Sequence, residues 1–207
     1  MTLISLFVQD MMRYVLAALP MYLLARFTYL KLRRHRTSAV REVLLGLCVL
    51  YAVALVSQTV LPPGHYGFEN GGFYAQPIIR PDKHLNLVPL RTVGDYVIGT
   101  NDEVSDWGQV SSMNLLGNVL LFAPLGFLVP LMRARHTGLR HVLALGLVVS
   151  ITIESAQYFL GRSADIDDVL LNAVGVMIGY AALALAGVPR PRTQPAPQLS
   201  GGEAASP

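Results

Sequence analysis

Four stretches of this sequence are apolar for long enough to cross a lipid bilayer, which needs roughly 20 mainly apolar residues per helix. They are 43–61, 113–132, 139–160 and 168–188. Only 14% of the 207 residues are charged and 53% are hydrophobic. A soluble average is near ~25% charged, so too few polar side chains remain to cover a soluble domain. The pattern predicts an all-α, polytopic membrane helical bundle.

A fifth span, 11–30, is weaker. Its uninterrupted apolar run extends only from Tyr14 to Ala25, contains Pro20 and is flanked by Arg13 and Arg26. Both arginines could snorkel to the headgroups, keeping the charge wet while the stem lies along the helix. The competing reading is a cleaved signal peptide, which needs positive charge ahead of the run. Here most of it follows, at Lys31, Arg33, Arg34 and Arg36. A retained first helix is preferred, giving about five spans.

Basic residues set the expected orientation, since Lys and Arg are retained on the cytoplasmic side. The connections 31–42 and 133–138 (with Arg140) and the tail after 188 carry ten; 62–112 and 161–167 carry four. The N-terminus is therefore expected outside and the C-terminus inside. The sequence pI of about 9.2 is a topology signal, and no nucleic-acid partner is expected. The lone Cys48 excludes an internal disulfide and a cysteine-rich zinc site.

Three units are expected: 1–42, a first helix with a basic connection; 43–188, the membrane domain; and 189–207, a disordered tail rich in Pro, Ser, Ala and Gly. The connection 62–112 is long for a structureless loop, and such loops are usually functional or separately folded. Its Leu85–Val93 stretch either dips into the bundle or lies at the interface, anchored by Trp107.

Polar side chains recur at one depth of three spans. Asn114 and Asn118 stand one above the other in the third. Ser150, Glu154 and Gln157 share a face of the fourth. Asp165, Asp168 and Asn172 open the fifth, and their stripe continues through Gly175 and Gly179, a spacing that admits another helix closely. Each has a bland explanation: Asp165 as an N-cap, Asp167 and Asp168 as dipole-favoured acids, Asn118 as an interhelical bond, Arg162 as a headgroup contact. Glu154 resists this most, because a charge within a span costs about 2.5–3.5 kcal/mol and usually marks a site with a partner nearby. Arg162, across a short turn with Gly161, is the expected partner.

These motifs resemble the VanZ-like family of bacterial membrane proteins. The resemblance rests on NLVPLRTV, on the Asn118–Phe127 run N-x-x-x-F-x-P-x-G-F, on Glu154 and Gln157, and on the R-x-x-D-x-x-D-x-x-x-N-x-x-G series at Arg162–Gly175. It spans about residues 40–188. It implies a multi-pass protein of the bacterial plasma membrane, in a family named for a member linked to teicoplanin resistance, and implies no settled reaction.

The expected functional cluster is Asn118, Glu154, Gln157, Arg162, Asp165, Asp168 and Asn172. The preferred reading is an accessory protein that binds a lipid-linked envelope precursor or a lipoglycopeptide, with the bilayer as its partner. The alternative is a membrane enzyme acting on a lipid or cell-wall precursor, with Glu154 and Asp168 as acid and base. A magnesium or calcium site on Glu154, Asp165, Asp168 and Asn172 ranks third, because helix capping accounts for the same aspartates. No cofactor is expected: the chain has no Walker A loop, no G-x-S-x-G elbow and no H-E-x-x-H.

Overall fold

Each predicted span becomes a helix in the computed structural model, which describes residues 3–33, 37–60, 64–69, 72–77, 85–98, 107–132 and 137–187. The helices are α1 (Leu3–Arg33), α2 (Ala39–Thr59), α3 (Arg91–Ile98), α4 (Trp107–Met132), α5 (Leu139–Phe159) and α6 (Ile166–Leu185). All except α3 are long and apolar enough to cross a membrane. The protein is an all-α polytopic helical bundle. The proposed tail 189–207 lies outside the described residues.

Local chemistry sets the helix ends. The Ser38 hydroxyl caps α2 by accepting the Arg41 amide at 3.3 Å. The Asp165 carboxylate caps α6 by accepting the Asp167 amide at 2.9 Å, as expected of a short acidic side chain at an N-cap. At the end of α5 the Gly161 amide donates to the Tyr158 carbonyl at 3.2 Å, and the Arg162 amide to the Gln157 carbonyl at 2.9 Å. Gly161 has φ 83, a left-handed conformation that glycine adopts without steric cost.

The closest helix pair is α4 with α6. A Cβ on Gly175 would lie 2.2 Å from the Val119 carbonyl oxygen, and one on Gly179 would lie 1.8 Å from that of Ala123. From the α4 side, a Cβ on Gly126 would lie 2.0 Å from the Val176 oxygen. The small-residue spacing thus does what it predicts, bringing two backbones into contact. Phe122, Leu125, Val142, Ile153 and Val176 form the apolar core beside this seam, joined by Leu55 from α2. The Tyr51 hydroxyl also ties α2 to α4 by donating to the Leu121 carbonyl at 2.8 Å.

Helix α1 packs chiefly against α2. The Arg26 guanidinium donates to both carboxylate oxygens of Glu42 at 2.7 Å and lies over the Tyr29 ring. At the other end of α1, Arg13 pairs with the exposed Asp10.

The long connection after α2 has structure of its own. Strands β1 (Gly64–Glu69) and β2 (Gly72–Pro77) form an antiparallel hairpin. Strand β3 (Leu85–Asn86) then pairs in parallel with β4 (Ala164–Asp165), placing Asn86 opposite Asp165. Residues 85–98 are therefore a strap lying over the turn between α5 and α6.

Candidate functional site

The strap, the end of α2, the start of α4 and the α5–α6 turn meet at one end of the bundle. Two carboxylates hold the strap. Asp165 accepts from the Asn86 side-chain amide at 3.1 Å and from the Thr92 hydroxyl. Asp167, fully buried, accepts the backbone amides of Leu90 at 2.5 Å and Val93 at 3.1 Å. Leu90 immediately precedes α3 and Val93 lies in its first turn, where N–H groups have no intrahelical acceptor. Asp167 is thus a cap supplied by a different helix.

Beneath the strap, three helices contribute paired side chains. Asn118 of α4 donates to Asp168 of α6 at 2.5 Å. One turn deeper along α6, Asn172 donates to the Ser150 hydroxyl of α5 at 2.8 Å. The Asn172 carbonyl oxygen is buried without a hydrogen-bond partner. Gln157 and Arg162 both donate to the Thr59 carbonyl, at 2.7 and 2.6 Å. A cation there also suits the negative end of the α2 dipole.

Glu154 is 8% exposed. Its Oε2 accepts the Asp165 backbone amide at 3.0 Å, while Oε1 has no hydrogen-bond partner among the described residues. The charges acting on it are those of Asp168, Asp165 and Arg162. Glu154 lines a groove of about 340 Å³ whose other walls include Leu87, Ile151, Tyr158, Phe159 and Val169. Acidic and amide oxygens thus share a mainly apolar groove, an arrangement suited to holding an amphiphile by its polar end. Asn114, one turn before Asn118, is exposed.

The family model described as VanZ/LLP1 matches residues 48–187. The chain belongs to this family. Comparisons with curated proteins and with solved structures gave no match. The family region runs from the middle of α2 to the end of α6, so it contains every residue of the cluster and the whole strap, and leaves out α1.

All seven expected cluster residues lie at this end of the VanZ/LLP1 region. Glu154 and Asp165 are in direct contact, as are Asn118 and Asp168, while Gln157 and Arg162 share an acceptor. Among the described residues, no group of three or more His, Cys, Asp or Glu is arranged for a metal ion. Sequence reasoning missed Asn86, Thr92 and the Thr59 carbonyl, and gave Asp167 only a dipole role. The signal for the first two was the polar Asn and Thr inside the otherwise apolar NLVPLRTV stretch. A main-chain carbonyl leaves no trace in side-chain spacing.

Proposed function

We propose that this protein sits in the bacterial cell membrane, N-terminus outside and C-terminus cytoplasmic, and binds a lipid-linked envelope ligand or lipoglycopeptide at the outer face. In this reading it contributes to teicoplanin-type resistance or to envelope maintenance. The orientation rests on the ten-to-four distribution of basic residues. The binding role rests chiefly on Glu154: a carboxylate inside a candidate span, with one oxygen uncommitted, lining a mainly apolar groove. A carboxylate so costly to bury is offset by a proton, a cation or a ligand, and in this reading the ligand takes that role. Asn118 and Asp168 pair close by, and Asn172 bonds Ser150 one turn deeper along α6.

The test compares wild type with Glu154→Gln, which keeps the shape and removes the charge. Purified protein is titrated with envelope lipids and teicoplanin, and both forms are expressed in a sensitised host. Wild type is expected to bind saturably and raise tolerance. The variant is expected to fold and to lose both properties, with Glu154→Asp between them. Conversion of a lipid by wild type alone would instead make Glu154 and Asp168 an acid–base pair. Full tolerance from Glu154→Gln at equal protein level would discard the charged site.

A further inference from the structure

The groove beside Glu154 opens at the perimeter of the bundle. Its walls Leu85, Leu87, Ile151 and Phe159 are 57%, 65%, 54% and 84% exposed, and α5 is one of the candidate spans. Perimeter faces of a membrane bundle meet acyl chains. Glu154 is five residues before the end of α5, hence about 7.5 Å inside it at 1.5 Å per residue. A lipid chain lying along Ile151, almost one turn deeper than Glu154, would bring its polar end to this depth.

The groove also selects by charge. Its lining contains Glu154 and Asp165 and, among the described residues, neither lysine nor arginine. The bonds to Asp165 come from neutral donors, which bring no full positive charge to it. Arg162, the nearby cation, is outside the lining and directed to the Thr59 carbonyl. A phosphate or carboxylate head would meet two like charges in a poorly hydrated place, whereas an ammonium would meet an open carboxylate oxygen.

We propose that this groove takes a membrane lipid whose head ends in a primary ammonium, entering sideways from the bilayer with the ammonium on Glu154. The inference rests on the ligand-binding reading of Glu154 and adds the ligand's charge and route. At about 340 Å³ the cavity is at the lower end of ligand pockets. It holds the head-proximal part of one chain and leaves the rest in the bilayer.

The test uses the full chain in phosphatidylcholine nanodiscs, with stearylamine and stearic acid probes that each carry a photoreactive diazirine. Labelled peptides are mapped by mass spectrometry. The amine is expected to label 151–169 and 85–87 saturably, about tenfold above the acid, the factor that 1.4 kcal/mol of discrimination gives. Phosphatidylethanolamine should compete and phosphatidylglycerol should not. Glu154→Gln should remove the preference for the amine. Ile151→Trp, which fills the groove and leaves the carboxylate, should remove labelling by both probes at unchanged thermal stability. Equal labelling by amine and acid overturns the proposal while leaving an envelope ligand of other charge open. Labelling that survives Ile151→Trp overturns it too. Loss of the functional reading is separate: Glu154→Gln would keep its tolerance phenotype while amine labelling still depended on Glu154.

Discussion

The carboxylate of Asp167 accepts the backbone amide of Leu90, 77 residues earlier in the chain. Leu90 has φ 64, a left-handed conformation that costs a leucine energy and persists only where surrounding contacts enforce it. The bond to Asp167 holds the amide in place, and the Gly94 amide returns to the Leu90 carbonyl at 2.9 Å to start α3. One carboxylate at the head of a spanning helix thereby fixes the strap that forms a wall of the groove.

Replacing Asp167 with alanine is expected to free that strap. Two amides lose a charged acceptor, and each such bond is worth about 1.5–3 kcal/mol. Hydrogen exchange in peptides covering 85–98 should accelerate markedly, while exchange in α4 and in the inner half of α6 stays slow. Unchanged protection at 90–93 would show that the strap is held by something other than Asp167.

Gly175→Ala probes the α4–α6 seam. Even one methyl group would meet the Val119 carbonyl oxygen at 2.2 Å, so the helices must separate. Overpacking typically costs about 1–3 kcal/mol, and backbone contact leaves no flexible side chain to give way. The melting temperature in detergent should fall clearly. Gly117→Ala, with nothing within 4 Å of its Cβ, is the control and should change little. Equal behaviour of the two variants would contradict the seam.

These elements were not equally legible in the sequence. The spans were, because length and apolarity suffice to define them; so were Gly175, Gly179 and the Asn118–Asp168 level, because helical periodicity fixes which residues share a face. The strap was not. Its β3–β4 contact pairs only two residues on each side, joining Asn86 to a position 79 residues later, and no local period encodes such a contact. Asp167 was obscured for a related reason: an acid in a first turn is already explained by the dipole, so nothing prompts a search for distant amides. The partner of Arg26 was hidden for the same reason as the strap, since Glu42 belongs to a different helix 16 residues on.

Ser150 and Asn172 are expected to be coupled. Ser150 is fully buried and accepts the Asn172 amide, while the Asn172 oxygen is already unpaired. Ser150→Ala therefore strands a second polar group of the same side chain. Asn172→Leu removes both. In a double-mutant cycle the two changes should be non-additive by about 0.6–1.7 kcal/mol, the range for interhelical bonds in membranes. Additive effects would mean the pair contributes nothing beyond packing.

The proposed orientation has a direct check. In a Cys48→Ala background, cysteine placed at Ser105 is expected to react with an impermeant thiol reagent in intact cells, and cysteine placed at Thr37 is not. The reverse pattern would move the cluster to the cytoplasmic face and end the proposed outer-face role.

The Arg26–Glu42 contact decides how α1 is attached. The two side chains are each 23% exposed, and both belong to helices long and apolar enough to span a membrane. A forked guanidinium on a carboxylate fixes direction as well as distance. Breaking the pair leaves one charge without its forked counter-ion. Arg26→Gln and Glu42→Gln alone should therefore each loosen α1 from α2, seen as faster proteolysis within 31–42 in detergent. The double variant should be milder than the sum of the singles, since no stranded charge remains. Exchanging the two residues, Arg26→Glu with Glu42→Arg, should restore much of the protection. If Arg26 merely reached the headgroups, the exchange would give no recovery and the single effects would add. Recovery by exchange depends on direct contact, so it separates a clamp between the two helices from two residues that each happen to tolerate their surroundings.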